Sequence, residues 1–285
     1  MTRRSTTSRR RPSAHARRPR QPLRRRVRRA LPAPGRIGAG LLTALLVGGL
    51  LALVNGPWLR VDRVAWAGER FTSDTQLQRA LGSLDGAALL TLNATAVAAR
   101  IQRLPAVSRA TVEAVLPDAV RVHITEKVPT FVWQTSAVRL VGVADGTLIA
   151  QLALDAELPA DLAALPLVDD RRAGSRHLIA GDQIDPSSLA AALHLSEVEP
   201  AALGSRAVDL AVRLTDDDGF LLVSSQPSWQ ADFGLYPGSD FDQPGALQER
   251  VEAQVTAVRT LFSFEGESKI GWVDARDPRR VYWRP

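Results

Sequence analysis

Four histidines, two acidic runs and one glycine-rich stretch are the residues of this 285-residue chain whose types suggest chemistry. None has the spacing that the chemistry needs. His15, His123, His177 and His194 stand apart, with no H-x-H or HExxH pattern and no cysteine anywhere, so a zinc centre is not expected. Asp216-Asp217-Asp218-Gly219 lacks the alternating ligands and closing Glu of a calcium loop and reads as a hairpin turn. Asp169-Asp170-Arg171-Arg172 reads as an exposed charge cluster and not as an acid/base pair. Gly35-x-x-Gly38-x-Gly40 follows no strand and runs into an apolar segment, which excludes a phosphate cradle. No catalytic, cofactor or metal site is assigned, and no small-molecule substrate is implied. The chain is expected to act by contact.

The residues best suited to contact stand at the C-terminus. Val281-Tyr282-Trp283-Arg284 forms the last expected strand, preceded by Arg280. At a sheet edge, its unpaired backbone groups would accept a partner strand. Tyr282 and Trp283 are side chains favoured at interfaces. Alternation buries one of them, and packing on the helix that carries Val251 and Val258 is the competing role.

That strand needs a sheet behind it, and the sequence supplies two α+β blocks. In the first, Val64 and Trp66 alternate with Ala65 and Ala67 before Gly68 closes a strand. Ser73 with Gln76 makes a capping box for a helix that ends at Gly82. A second helix starts at Asn93, buries Val97 and Ile101, and stops before Pro105. Ala110, Val112, Ala114 and Leu116, then Val120, Val122 and Ile124 across a Pro-Asp turn, give a hairpin with one wet face. His123 falls on that wet face. From Thr130 short strands take over: Phe131–Trp133, Val138–Val143, Thr147–Ile149 after the Asp145-Gly146 turn, Val208–Leu214, Phe220–Val223 and Ala231–Leu235. Residues 152–164 are left as loop or helical turn. Asp185 caps a helix over Pro186–Leu195, and Leu247, Val251, Val255, Val258 and Phe262 stripe a later one. Lys269–Ala275 and Arg280–Arg284 form the final hairpin.

The first sixty residues differ from all of this. Residues 1–36 hold fourteen arginines and no acid, which leaves 22 basic against 30 acidic residues in the remainder, a net of −8. A nucleic-acid binder would spread basic charge over its folded part, so none is expected. The tail is instead expected to be disordered and to face anionic lipid headgroups, at about 1 kcal/mol per basic residue near the surface. Ile37–Val54 is uncharged with only Thr43 carrying a hydroxyl, so a single membrane span over residues 37–57 is expected. Ala44, Gly48 and Ala52 line up at helical spacing, a stripe that helix packing and composition explain equally well. Arginines on one side place the N-terminus in the cytoplasm and the rest outside. Ala65-Trp66-Ala67 resembles a signal-peptidase site, but it lies eleven residues beyond Val54 within a strand.

The order strand–helix–helix–strand–strand after one span resembles a POTRA domain of the FtsQ/DivIB cell-division family. Val64-Ala65-Trp66-Ala67-Gly68, the Leu104-Pro105-x-Val107 step, Leu116-Pro117-Asp118 and Thr125-Glu126-Lys127-Val128-Pro129 carry that similarity. Asp232-Phe233-Gly234-Leu235, Ile270–Arg276 and Arg280-Val281-Tyr282-Trp283 resemble the family's second domain, with Ala275 where Leu is frequent. The resemblance implies a basic cytoplasmic tail (1–36), a transmembrane helix (37–57), a POTRA domain (58–129) and a mostly antiparallel β domain with a late packing helix (130–285). It implies a non-enzymatic divisome scaffold at the septal plasma membrane, with FtsB/DivIC-like and FtsL-like bitopic partners and the septal peptidoglycan synthase complex. A POTRA-bearing chaperone of protein export is the alternative function.

Overall fold

The computed structural model describes residues 34–55, 57–238 and 243–285. The arginine tail through residue 33, with His15, lies outside them. Helix α1 spans Pro34–Asn55, so it begins three residues before the expected apolar start. Its described side chains run from Gly38 to Ala52 and are exposed throughout, Leu45 at 74%. Among the described residues no helix is long and apolar enough to cross a membrane, so the expected span rests on the sequence. The chain divides into residues 1–51 and 52–285, and the second unit carries both sheets.

Residues 63–126 form a three-stranded sheet backed by two helices. Strand β1 (Arg63–Ala67) leads to α2 (Asp74–Leu81), α3 (Ala94–Ile101) and the hairpin of β2 (Val107–Val115) and β3 (Ala119–Glu126). The sheet order is β1-β3-β2, with β1 parallel to β3. The Ser73 side chain accepts from the Gln76 amide and the Gln76 side chain accepts from the Ser73 amide, the reciprocal cap expected from their spacing. Leu77, Leu81, Val97, Ile101, Val120, Val122 and Ile124 close one core. The apolar alternation outreaches that core: Ala110 on β2 is buried, whereas Leu116, one residue beyond the strand, is 64% exposed.

From Phe131 onward the chain builds a nine-stranded sheet. Its strands are β4 (Phe131–Gln134), β5 (Val138–Gly142), β6 (Leu148–Ala153), β7 (Leu167–Asp170), β8 (Ala211–Thr215), β9 (Gly219–Ser225), β10 (Ser228–Gly234), β11 (Trp272–Asp274) and β12 (Tyr282–Arg284). Their order is β12-β11-β10-β9-β8-β7-β4-β5-β6. Five of the described ladders are antiparallel, while β10–β11, β4–β7 and β7–β8 are parallel. Residues 152–164 divide between the end of β6 and the single turn α4 (Ala160–Ala163). Helices α5 (Pro186–Ser196), capped by Asp185, and α6 (Ala246–Leu261) pack on one face, burying Leu189, Leu195, Val251 and Val258 against Trp133, Phe220 and Phe233.

Two expectations are corrected here. Val208 is 87% exposed, and β8 starts only at Ala211. Asp169-Asp170-Arg171-Arg172 is expected to be an exposed charge cluster, yet its two aspartates end the interior strand β7 (Leu167–Asp170). Asp170 is fully buried there: it accepts from Trp133 Nε1 at 2.9 Å and pairs with the Arg172 guanidinium at 2.7 and 3.0 Å. A buried carboxylate persists only when its oxygens are satisfied, and the Arg fork with the indole supplies that.

Candidate functional site

The C-terminal hairpin is short, and its geometry depends on what holds it from behind. β11 pairs with β12 in the register Trp272↔Arg284, Val273↔Trp283 and Asp274↔Tyr282. Among the described residues β12 has no other neighbour in the sheet, so its outer side is an edge. Side-chain alternation sorts the residues singled out on sequence. Val281 and Trp283 are partly buried against the core that contains Val251 and Val258. Tyr282 points the other way and is 62% exposed. Arg280 and Arg284 are exposed on either side of it. Trp283 thus takes the packing role, and Tyr282 is the aromatic side chain left exposed.

Gly271 lets the chain end approach: its amide donates to the Arg284 carbonyl at 2.9 Å, and a Cβ there would lie 2.9 Å from the Pro285 carbonyl carbon. The Arg284 guanidinium stacks 4.2 Å from the Trp272 ring centre, a cation–π contact tying β12 to β11. Trp272 Nε1 donates to Asp232 Oδ2 at 2.9 Å. Asp232 is fully buried on β10, and its Oδ1 has no hydrogen-bond partner among the described residues. Burial first, then the neighbouring Asp218 carboxylate, push the Asp232 carboxyl up to about 6. Asp274 adds to that repulsion and Arg276 opposes it. The Arg276 guanidinium grips Asp274 at 2.9 and 2.5 Å and holds its carboxyl below the usual range.

A residue missed on sequence sits beneath this hairpin. Gln254 on α6 is fully buried. Its Nε2 donates to the Phe233 and Ala275 carbonyls, each at 2.9 Å, and its Oε1 accepts from the Tyr236 hydroxyl at 2.7 Å. It therefore joins the ends of β10 and β11 to the helix. The signal was present: Gln254 lies three residues after Val251 and four before Val258, on the same helical stripe. Beside the approach to β12, an open groove of about 470 Å³ is lined by Ala253, Leu261, Phe264, Pro278 and Val281, with Phe264 87% exposed.

The other chemistry-bearing residues are not gathered here. His123 is exposed on its strand, His177 accepts from Arg176 at 3.0 Å, and His194 lies 3.8 Å from Glu197. Asp216 accepts the Ala173 amide at 2.7 Å, and Asp218 lies in the turn where Gly219, at φ +74°, meets Gly234. A Cβ at Gly219 would come within 2.5 Å of the Gly234 carbonyl carbon, so only glycine closes this turn. Among the described residues no group of three or more His, Cys, Asp or Glu side chains is placed to hold a metal ion.

Comparison with known proteins agrees with the geometry. Residues 59–127 match the family described as the POTRA domain, FtsQ-type. A curated relative, the "Cell division protein FtsQ" of Streptomyces venezuelae, is 34% identical over 86 residues. That alignment covers 30% of this chain and 32% of the relative, so the chain spans about a third of the length of the protein it matches.

Proposed function

We propose that this chain, whose residues 59–127 match the FtsQ-type POTRA domain, is a member of the FtsQ/DivIB family and a non-enzymatic scaffold of the bacterial divisome. In this reading α1 anchors it once in the plasma membrane, with the arginine tail in the cytoplasm and the two domains outside, concentrated at the septum. Its partners are FtsB/DivIC-like and FtsL-like bitopic proteins, and through them it regulates the septal peptidoglycan synthase complex. Partner capture is by β-augmentation on β12.

The observation that carries this reading is the position of β12. It is an edge strand with Tyr282 turned to solvent between Arg280 and Arg284, while Val281 and Trp283 hold it to the core. Main-chain pairing supplies affinity at such an edge, and alternate side chains supply selectivity. The exposed α1 side chains and the uncharged run from Ile37 to Val54 support the anchor.

Deleting Arg280–Pro285 tests the mechanism. Co-purification of the bitopic partners from cells should be lost completely, while circular dichroism and heat denaturation still report a folded residues 59–127 module. A truncated chain that still recruits its partners would refute capture at β12. A reporter fused behind Pro285 and active only in the cytosol would refute the anchored topology.

A further inference from the structure

Two stretches that served on sequence only as fold markers, Leu104–Val107 and Thr125–Pro129, meet where the small domain touches the large sheet. At the end of β3 the Glu126 carboxylate accepts three consecutive amides: Arg70 at 3.0 Å, Phe71 at 2.9 Å and Thr72 at 2.8 Å. The Thr72 hydroxyl adds a fourth bond at 2.7 Å. One side chain thereby fixes the whole loop between β1 and α2. Burial works against its charge, but the bonds from Thr72, Phe71 and Arg70 outweigh that and hold the Glu126 carboxyl below its ordinary range.

A loop whose task was only to close a turn would keep its side chains within its own domain. This one sends them across. The Arg70 guanidinium grips Asp161 of α4 through two bonds, 2.7 and 2.9 Å, and covers the Phe71 ring at 4.8 Å. Phe71 packs on a cluster in which Ala106 of the small domain meets Val141, Val143, Ile149 and Leu162. The next residue after Glu126 repeats the pattern. Lys127 donates its amide to Ala106 at 2.7 Å and carries its ammonium to 3.6 Å from Asp145, in the β5–β6 turn. Val141 is available to this cluster because β5 is buried on both faces, with Leu140 in the opposite core.

We propose that the Glu126-clamped loop, with Arg70 and Phe71, is a strut that locks the POTRA domain onto the β domain, so that the two move as one body. Arg70 and Asp161 are both half exposed, so their pair adds little to stability; what it supplies is a fixed orientation. Contact made by a partner at one domain is then transmitted to the sheet without a hinge taking it up.

The absence of cysteine makes the test direct. Spin labels on Glu113→Cys and Val208→Cys, both exposed sites, report the distance between the domains in the full chain. The parent should give one narrow distribution. Glu126→Gln should broaden it most, and Arg70→Asp or Asp161→Arg should each broaden it at least twofold. The double exchange R70D/D161R should return it to the parent width. A parent distribution that is already broad would overturn the strut, as would R70D and E126Q distributions as narrow as the parent's. If E126Q does not fold, the charge exchange decides alone: recovery of the width sustains the proposal and its absence ends it.

Discussion

The two ends of the nine-stranded sheet are built in opposite ways. At the β6 end, Leu148, Ile149 and Ala150 are buried. The chain itself covers the edge there: the Leu148 amide donates to the Asp182 carbonyl at 2.9 Å and its carbonyl accepts from Gly181 at 2.7 Å. The POTRA domain closes over the same end through Phe71 and Ala106. At the β12 end the last strand is three residues long, alternates exposed, half-buried, exposed, and nothing in the described chain pairs with its outer side. Natural sheets cover or blunt edges because a bare one recruits strands. One end here is sealed by its own chain, and the other is kept open but braced from behind by Gln254, Asp232 and Arg284.

This contrast can be broken at several points. The largest effect on stability is expected from Gln254→Ala. It removes three buried hydrogen bonds and leaves the Phe233 and Ala275 carbonyls without that donor, at a cost of about 2–4 kcal/mol. Amide exchange should accelerate in β10–β12 while β6 keeps its protection; equal loss at both ends would show that the brace is not local.

The next effect concerns pH. Asp232 holds its proton in the folded chain up to about pH 6, whereas an unfolded aspartate releases it near 3.8. Between those values the unfolded state binds fewer protons, so this residue's contribution is fully present below about pH 4 and declines as pH rises to about 6. The whole decline is about 2–3 kcal/mol. Asp232→Asn should therefore be more stable relative to the parent at pH 7.5 than at pH 4, measured by urea denaturation at both. A difference independent of pH would remove the claim.

Partner capture compares the edges directly. Tyr282→Ala should weaken partner binding by about 2 kcal/mol, some thirtyfold, with no change in melting temperature. Gln151→Ala, at an exposed position on β6, should leave binding unchanged. Equal losses at the two positions would erase the distinction between open and sealed ends. The smallest effect is expected from Arg284→Ala, which loses the stacking on Trp272 and costs about 0.5–1 kcal/mol of stability. Tryptophan fluorescence during thermal unfolding would register it.

Local signals were readable wherever a residue's environment is set by its near neighbours in sequence. The Ser73–Gln76 cap, the Asn93 and Asp185 caps, the β2–β3 hairpin and the stripe on α6 all depend on groups within a turn or two. β7 was not readable. Leu167-Val168-Asp169-Asp170 carries two acids and looks solvated until Trp133 and Arg172, brought from elsewhere or folded back, satisfy Asp170. Gln254 was missed for a related reason: a single polar residue on an apolar stripe is buried only if the carbonyls it needs arrive from other strands.

By itself, then, the order of residues determined most of the helices and strands, β7 excepted, the separation of an arginine tail from an acidic remainder, and the final strand as the contact candidate. Those properties come from periodicity, charge and capping, which act over short distances along the chain. Only the tertiary structure decided that β12 ends the sheet and β7 lies inside it, that Tyr282 turns outward while Trp283 turns in, and that the Glu126 carboxylate holds the loop of Arg70, Phe71 and Thr72. Each of these depends on strands and loops separated by tens of residues meeting in space, where burial and hydrogen bonding select one arrangement that no local pattern encodes.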